Sequence, residues 1–276
     1  MTDNVPLAGV IGQPIHHSMS PVLHGHWLRR YGIKGHYVPM EVSTNDLGDV
    51  LKAMPRMGFV GCNVTIPHKV KVLDLVDQIT DRATIIGAAN TLIFRRDGKI
   101  MADNTDGYGF IENLRQGAPH WSPKDCTAAV LGAGGACRAV VSSLIDAGVH
   151  KIYLSNRTRI KAEQLQYEFG KRIQVVEWVQ AGNMLEEASL VVNTTALGMT
   201  GQPELRVPLD GLQPGSVVTD LVYNPLRTHL LDEAQRRGCH IVDGLGMLLH
   251  QAVPGFERWF GQRPDVDEEL RLAVLP

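Results

Sequence analysis

A glycine-rich turn in the middle of the chain, at residues 132–135, leaves few folds open to this sequence. The apolar run at 127–131 predicts a strand before the turn, and the apolar segment 136–147 predicts a helix after it. Such a turn lets the backbone approach a pyrophosphate, which the free N–H groups of the helix start can bind. The third small position of the motif is Cys137, a departure from the usual glycine or alanine. With its strand and helix, the turn favours dinucleotide binding over an ordinary tight turn.

Strands and helices alternate after this turn, which predicts a parallel sheet covered on both faces. The predicted strands are 151–154, 173–176, 190–193, 217–221 and 240–242, and the predicted helices are 160–169, 183–188 and 226–237. Before the turn, the predicted strands are 6–11, 36–42, 58–66, 89–95 and 99–102, and the predicted helices are 22–31, 46–53 and 67–77. A last apolar helix is predicted at 244–260.

The fold class is therefore α/β with two domains. We expect an N-terminal α/β substrate domain at 1–106 and a Rossmann-like, doubly wound domain at 107–243. Residues 244–276 should form C-terminal helices that pack on the first domain. A polar, turn-forming segment at 104–107 is typical of a hinge between domains.

Composition excludes several classes of function. The formal net charge is -2, so no basic surface is expected for nucleic acid or an anionic membrane. No apolar stretch approaches the roughly 18 residues of a membrane span, and no signal peptide is visible. The four cysteines are isolated and the histidines lack acid partners at ligand spacing, so neither a metal site nor a disulfide framework is indicated. These observations favour a cytoplasmic protein that binds a small molecule.

The residues after the 151–154 strand indicate which dinucleotide would bind. Enzymes that use NAD usually place an acid there for the ribose 2′-hydroxyl. This chain has Asn156, Arg157 and Thr158 instead, with Lys161 following, and no carboxylate between Lys151 and Lys161. Because Arg157 and Lys161 would attract a 2′-phosphate, NADP is favoured over NAD.

Polar residues in the first domain suit a polyhydroxylated carboxylate. Ser18 and Ser20 precede a predicted helix, where hydroxyls can bind a carboxylate, although a lone serine there is more often a helix cap. Lys69 falls in the first turn of the predicted helix 67–77. The positive helix end should lower its pKa, as an acid–base lysine requires. Asn63, Thr65, Asn90 and Asp106 lie at the ends of other predicted elements, a position also typical of ordinary turns.

Nine motifs in order resemble the shikimate dehydrogenase family over nearly the whole chain: GQPIHHSMSP, GCNVTIPHK, GAANTL, DNTDG, LGAGGA, SNRT, NTTALGM, DLVYNP and DGLGMLLHQA. The resemblance implies reversible, NADP-dependent reduction of 3-dehydroshikimate to shikimate, on the pathway to chorismate and the aromatic amino acids. It implies two domains with the active site in a cleft, and a small-molecule substrate for a monomer or homodimer.

The resemblance also implies roles for individual residues. Lys69 and Asp106 would be the catalytic pair. Ser18 and Ser20, helped by Tyr223, would bind the substrate carboxylate. Asn63, Thr65, Asn90, Asp106 and Gln251 would hold the ring hydroxyls. The cofactor would be held by Gly132, Ala133, Gly134, Gly135, Ala136, Asn156, Arg157, Thr158 and Lys161, with Asp81, Leu221 and Gly244 on the nicotinamide side. Relatives commonly have arginine at the position of Lys161.

Two alternatives stay open from the sequence. A quinate/shikimate dehydrogenase that uses NAD should carry an acid after the 151–154 strand, which this chain lacks. A catalytically silent NADP-binding regulator should have lost Lys69 or Asp106, and both are present.

Overall fold

The computed structural model describes residues 5–275. In chain order the strands are β1 (Leu7–Gly12), β2 (His36–Glu41), β3 (Gly61–Val64), β4 (Gln78–Ile79), β5 (Thr91–Phe94), β6 (Ile100–Asp103), β7 (Thr127–Leu131), β8 (Lys151–Ser155), β9 (Ile173–Val176), β10 (Leu190–Asn193), β11 (Val217–Asp220) and β12 (His240–Val242). The α-helices are α1 (Ser20–Arg30), α2 (Leu47–Ala53), α3 (Asp81–Ile86), α4 (Asp106–Gly117), α5 (Gly135–Ala147), α6 (Arg159–Phe169), α7 (His229–Arg236), α8 (Leu245–Phe260) and α9 (Glu268–Val274).

The chain forms two compact units. One contains the residues up to Thr105 and those from Leu249 onward, and the other contains Asp106–Leu248. The sequence-based boundaries after 106 and after 243 compare with chain crossings at Thr105–Asp106 and Leu248–Leu249. Asp106 thus belongs to the second unit, and the larger part of α8 belongs to the first.

The first unit is built on a mixed six-stranded sheet in the order β2-β1-β3-β5-β6-β4. The sheet covers an apolar core that includes Ile11, Leu51 and Leu92, each at most 1% exposed. A group of aromatic side chains packs between α1, β2 and α8, where Trp27 and Phe256 are fully buried. Burying these large side chains supplies much of the free energy that holds α1 and α8 in this unit.

The second unit has a fully parallel sheet in the order β12-β11-β10-β7-β8-β9. This is the 3-2-1-4-5-6 order of a Rossmann fold read from the other edge. Ala128 and Val130 of β7 join one buried cluster, while Ala129 and Leu131 join the cluster on the opposite face. Alternate burial of this kind requires helices on both faces of the sheet, so the predicted α/β, doubly wound architecture is confirmed.

Several predicted helices differ from the observed ones. The predicted helix 67–77 is wrong: a turn follows Pro67, and only a short 3-10 helix forms at Lys71–Leu75. The predicted helix 183–188 is also only a 3-10 segment, Asn183–Leu185. Helices α3 and α4 and the short strand β4 were not predicted. Helix α9 lies within the segment 244–276 that was predicted to form C-terminal helices, but no bounds were predicted for it. No helix within residues 5–275 is long and apolar enough to cross a membrane.

Candidate active site

Strand register explains why the polar residues of the first unit share one edge of the sheet. Asn63 of β3 pairs with Thr91 of β5, and Thr91 pairs with Asp103 of β6. Asn90 therefore lies beside the end of β3, and Thr65 follows that end by one residue. The order of the strands, which the motifs alone do not reveal, brings together residues that are far apart in sequence.

Asn90 is the centre of a buried hydrogen-bond network. Its Oδ1 accepts from the backbone N–H of Thr105 at 2.9 Å and from the Thr91 hydroxyl at 2.9 Å. Its Nδ2 donates to Oε1 of Gln251 at 3.1 Å. The Thr105 hydroxyl in turn donates to the Gln251 backbone carbonyl at 2.8 Å. The predicted site residues Asn90 and Gln251 are thus joined directly, and Thr105 is held at the chain position just before Asp106.

Asn63 is fixed from both ends of its amide. Its Nδ2 donates to the Asn90 carbonyl at 3.0 Å and to the Thr91 hydroxyl at 3.3 Å. Its Oδ1 accepts from the hydroxyl of Tyr37 at 2.6 Å. Since both N–H groups are directed into the protein, Asn63 can offer a ligand only a lone pair of Oδ1. It would therefore accept a hydrogen bond from a ligand hydroxyl.

Tyr37 is a site residue that the sequence analysis missed. It is 8% exposed, and its ring stacks on that of His24 with centroids 3.9 Å apart. Burial raises the pKa of Tyr37 well above its ordinary value, although a hydrogen bond with Ser20 opposes the rise. Burial also lowers the pKa of His24 to about 3, so the stacked ring is neutral. Tyr37 thereby links Ser20 to Asn63, two residues predicted to bind the substrate.

Ser20 does not cap α1, which is the common alternative for a serine at this place. Ser20 is the first residue of α1, and the N-cap is Met19, whose side chain makes no capping hydrogen bond. The hydroxyl oxygen of Ser18 instead accepts from the backbone N–H of Ser20 at 3.3 Å. Both serines are half-buried at the start of α1, so their hydroxyls lie where a helix N-terminus favours an anion.

Lys69 lies in a turn that is held by its neighbours. The backbone N–H of His68 donates to the Thr65 carbonyl at 2.9 Å, and that of Ala89 donates to the Lys69 carbonyl at 2.8 Å. The buried His68 ring donates from Nε2 to the Val42 carbonyl at 2.8 Å. Because no α-helix begins at Pro67, the predicted effect of a helix end on Lys69 does not apply. The turn places Lys69, half-buried, close in the chain to Thr65.

Asp103 anchors the segment that leads to Asp106. Its side chain is 1% exposed and accepts from Arg82 Nε at 2.6 Å and Arg82 Nη2 at 2.5 Å. It also accepts from the Thr80 hydroxyl and the Asn104 backbone, each at 2.8 Å. Burial would raise the Asp103 pKa, but these hydrogen bonds outweigh it and hold the pKa below the ordinary value.

The Arg82–Asp103 pair also fixes the start of α3. Asp81, predicted on the nicotinamide side, is the exposed first residue of this helix, and the Thr80 hydroxyl caps it by accepting from Ala83 N–H. Asp106 is half-buried and is the first residue of α4 in the second unit. A carboxylate at this place interacts favourably with the positive end of the helix dipole.

The glycine turn of the second unit lies at the carboxyl edge of the parallel sheet. Leu131 pairs with Ser155 of β8 on one side and with Asn193 of β10 on the other. Gly132 has a φ of 105°, and a Cβ built there would come within 2.6 Å of the Thr194 hydroxyl. Gly132 is thus required by both backbone conformation and packing. The turn opens at the point where the strand order reverses, which is where open α/β sheets bind ligands.

Gly134 and Gly135 are different, because nothing in the protein requires glycine at either position. Neither has a positive φ, and a Cβ at either would meet no atom within 4 Å. Both are exposed at the start of α5. The missing side chains leave backbone N–H groups open to a bound group, so these residues fit the pyrophosphate of a dinucleotide.

The basic turn after β8 is tied to the glycine turn. Asn156 Oδ1 accepts from the backbone N–H of Ala133 at 3.1 Å, and its Nδ2 donates to the Thr158 carbonyl at 2.8 Å. Arg157 and Lys161 are exposed and form no ion pair within residues 5–275. Two cations without carboxylate partners beside the glycine turn fit a phosphate better than a bare hydroxyl.

The remaining predicted residues of this unit lie at the ends of β11 and β12. A Cβ at Gly244 would come within 2.5 Å of the Leu221 carbonyl, so glycine lets these two segments touch. Tyr223 is exposed in the loop after β11. Within residues 5–275, no group of three or more His, Cys, Asp or Glu side chains could hold a metal ion.

Asp220, at the end of β11, was also missed by the sequence analysis. Its carboxylate accepts from Asn193 Nδ2 at 2.9 Å, from Val222 N–H at 3.0 Å and from the Thr228 hydroxyl at 2.8 Å. Asn193 Oδ1 accepts from the Thr195 hydroxyl at 2.7 Å. The loops that follow β10 and β11 are thus joined through one buried carboxylate. The only signal in the sequence is an acid at the end of an apolar strand.

Burial raises the Asp220 pKa to about 6, above its ordinary value of 3.8, although its hydrogen bonds oppose the rise. Between these two values the folded protein keeps a proton that the unfolded chain has released. The free energy of unfolding therefore decreases as the pH rises from 3.8 to about 6, and above that this group changes it no further. We expect Asp220→Asn to remove this dependence, with the difference in unfolding free energy between variant and parent shifting by about 3 kcal/mol from pH 3.5 to pH 7. Urea unfolding across that range measures it, and a constant difference would contradict the assignment.

The fold and the two sets of polar residues define a class. The second unit has a Rossmann sheet with a glycine turn that suits a pyrophosphate, and the first unit has a polar sheet edge with a half-buried lysine. These are the parts of a nicotinamide-dependent dehydrogenase. Three family models match this chain: the shikimate dehydrogenase substrate binding domain at 10–92, shikimate/quinate 5-dehydrogenase at 116–199, and the shikimate 5′-dehydrogenase C-terminal domain at 244–268.

Relatives agree with these models. The shikimate dehydrogenase (NADP(+)) of Cereibacter sphaeroides (strain ATCC 17025) is 68% identical over 98% of this chain and 97% of its own length. The shikimate 5-dehydrogenase of Thermus thermophilus, solved with NADP(H) and shikimate, matches with a TM-score of 0.86 and 35% identity over 98% of each chain. A Corynebacterium glutamicum quinate dehydrogenase, solved with NAD, matches with a TM-score of 0.89 and 31% identity over 98% of each chain. This chain belongs to the shikimate dehydrogenase family.

Proposed function

We propose that this chain catalyses the reversible, NADP-dependent reduction of 3-dehydroshikimate to shikimate. The observation that carries the proposal is the 68% identity to a shikimate dehydrogenase (NADP(+)) across 98% of the chain. That match spans both the polar edge of the first unit and the pyrophosphate turn of the second. The fold alone does not decide the substrate, since a quinate dehydrogenase shares it.

The predicted residues take the roles that the family resemblance implies. Ser18 and Ser20 hold the substrate carboxylate at the start of α1, with Tyr223 assisting. Ring hydroxyls are held by Asn63, Thr65, Asn90, Asp106 and Gln251. The pyrophosphate and the 2′-phosphate are held by Gly132, Ala133, Gly134, Gly135, Ala136, Asn156, Arg157, Thr158 and Lys161, and Asp81, Leu221 and Gly244 lie toward the nicotinamide.

The reduced cofactor, when bound, supplies hydride to the ketone carbon. Lys69 Nζ donates a proton to the ketone oxygen as negative charge develops there, or takes it back in the reverse direction. Asp106, the other member of the proposed catalytic pair, accepts a hydrogen bond from a ring hydroxyl and orients it. Asn63 Oδ1 accepts a hydrogen bond from a ring hydroxyl, because the Asn63 N–H groups already donate to Asn90 and Thr91.

Two other candidates are not favoured. An NAD-dependent quinate/shikimate dehydrogenase would carry an acid directly after β8, where this chain has Asn156 and Arg157. A silent regulator would have lost Lys69 or Asp106, and this chain retains both. We propose a cytoplasmic location for the enzyme, as a monomer or homodimer.

A four-way assay tests the proposed function. Shikimate or quinate is combined with NADP⁺ or NAD⁺, and the absorbance of the reduced cofactor is followed. We expect shikimate with NADP⁺ to give the highest kcat/KM. Faster turnover of quinate with NAD⁺ would overturn the proposal in favour of the first alternative, and no turnover in any combination would favour the second.

Tyr37→Phe tests the role of the substrate edge. Removing the hydroxyl deletes the hydrogen bond that holds Asn63 Oδ1, which typically contributes about 0.5–1.5 kcal/mol. Because Asn63 is then less well positioned for the substrate, we expect KM for shikimate to rise roughly 2–10-fold. The KM for NADP⁺ should stay within about twofold of the parent value. Tyr153→Phe is a matched control, since Tyr153 is also 8% exposed and donates at 2.6 Å, to Glu187. Equal effects of the two substitutions on KM for shikimate would exclude a role for Tyr37 in positioning Asn63.

A further inference from the structure

Arg159 has both sides of its guanidinium occupied by carboxylates. It is the first residue of α6, two positions after Arg157. Its Nε lies 2.6 Å from Oε1 of Glu163, one turn along the helix, and its Nη1 contacts Oε1 of Glu177. The hydrogen bonds to Glu163 and Glu177 raise the pKa of Arg159. Unlike Arg157 and Lys161, this arginine is therefore already committed to protein acids.

Glu177 lies beside the basic turn because of strand register. Val176, the last residue of β9, pairs with Ser155, the last residue of β8. Glu177 and Asn156 therefore leave neighbouring strands side by side, at a spacing of roughly 5 Å. An acid thus lies at this edge of the sheet even though none follows β8 directly.

Unpaired acids at this place would oppose a phosphate. A 2′-phosphate carries close to two negative charges, and carboxylates within a Debye length of about 8–10 Å repel it. The same acids would tolerate, or accept a hydrogen bond from, the 2′-hydroxyl of NAD. The charge balance around the basic turn therefore depends on what neutralises Glu163 and Glu177.

We infer that Arg159 is a specificity-determining residue that favours NADP over NAD by neutralising Glu163 and Glu177, without contacting the 2′-phosphate itself. The inference rests on the proposed function, in which the turn at Arg157 binds that phosphate. Arg159 acts on the cofactor through two other side chains, so removing those side chains should make it dispensable.

Isothermal titration calorimetry with NADP⁺ and NAD⁺ tests this on the full-length chain without measuring activity. We expect Arg159→Ala to weaken NADP⁺ binding about 3–10-fold, the size of a partly screened charge effect, and to leave NAD⁺ within twofold. Arg159→Lys should keep most of the preference. The triple variant Arg159→Ala/Glu163→Gln/Glu177→Gln should bind NADP⁺ at least as tightly as the parent.

A matched control is Arg237→Ala. Arg237 also bridges two carboxylates of the second unit, Glu233 at 2.7 Å and Asp210 at 3.1 Å. It precedes β12 and so lies toward the amino edge of the parallel sheet, opposite the glycine turn. Its removal should leave binding of both cofactors unchanged.

Two outcomes overturn the inference. If the triple variant binds NADP⁺ as weakly as Arg159→Ala, Arg159 contacts the phosphate directly. If Arg159→Ala leaves the ratio of NADP⁺ to NAD⁺ affinity unchanged, it plays no part in specificity. Arg157→Ala, measured in parallel, separates these failures from a failure of the proposed site. Loss of NADP⁺ affinity in that variant upholds the site while the inference fails, whereas no loss means that both are wrong.

Discussion

Replacing Lys69 with alanine should lower kcat for shikimate oxidation roughly 10²–10⁴-fold, the usual contribution of one acid–base group. The side chain is half-buried in the turn after Thr65, at the edge where Asn63 and Asn90 are fixed. Its loss removes the proton carrier and the positive charge that stabilises the developing oxyanion. Steady-state kinetics give kcat, and fluorescence titration should show NADPH affinity within about threefold of the parent.

Lys71→Ala is the matched control for this substitution. Lys71 lies two residues further on, is exposed, and pairs with Asp74 at 3.2 Å. Exposed ion pairs of this kind contribute about 0–1 kcal/mol to stability, so its removal should leave kcat unchanged. If Lys69→Ala kept kcat within a few-fold of the parent, Lys69 would have no part in proton transfer.

The sequence predicted every strand of the two sheets except β4, because local patterns define strands well. The runs that form β7 and β10 are short, apolar and bounded by turn residues, and each was placed within a residue of its observed bounds. The tight turn at Gly132 was predictable as well, because glycine between an apolar strand and an apolar helix indicates a sharp turn. The observed φ of 105° agrees with that prediction. These features depend on neighbours in the chain and need no knowledge of distant contacts.

The helix predicted at 67–77 shows where local reasoning fails. Proline at the first turn and apolar spacing both favour a helix there. The backbone instead follows contacts with other elements: His68 donates to the Val42 carbonyl, and the Lys69 carbonyl accepts from Ala89. A tertiary contact overrides local propensity at such a position, and no periodicity reveals it in advance.

Missed helices had signals that other interpretations obscured. The segment from Asp106 was interpreted as a hinge because Asn, Thr, Asp and Gly adjoin there, yet Phe110 and Leu114 are spaced for a helix and are buried in α4. Thr80 caps α3, and Asp267 in the same way caps α9, whose bounds were not predicted within the C-terminal segment. Tyr37 had no such signal, since it joins the site only through the pairing of β2 and β1 beside β3.

Replacing Arg157 with alanine should weaken NADPH binding by about 1.5–3 kcal/mol, the cost of losing a charged hydrogen bond, or roughly 10–150-fold in Kd. The guanidinium is exposed beside Asn156, whose Oδ1 is held by Ala133 of the glycine turn, and it forms no ion pair within residues 5–275. Its charge is therefore available to the 2′-phosphate, a group that NADH lacks.

NADH is the internal control for Arg157→Ala, because the two cofactors differ only in that phosphate. Fluorescence titration should show NADH affinity within about twofold of the parent, so that the preference for NADPH collapses. Raising the salt concentration should weaken NADPH binding to the parent more than to the variant, since exposed charges are screened. Equal losses for NADPH and NADH would mean that Arg157 supports the shape of the turn and does not bind the phosphate.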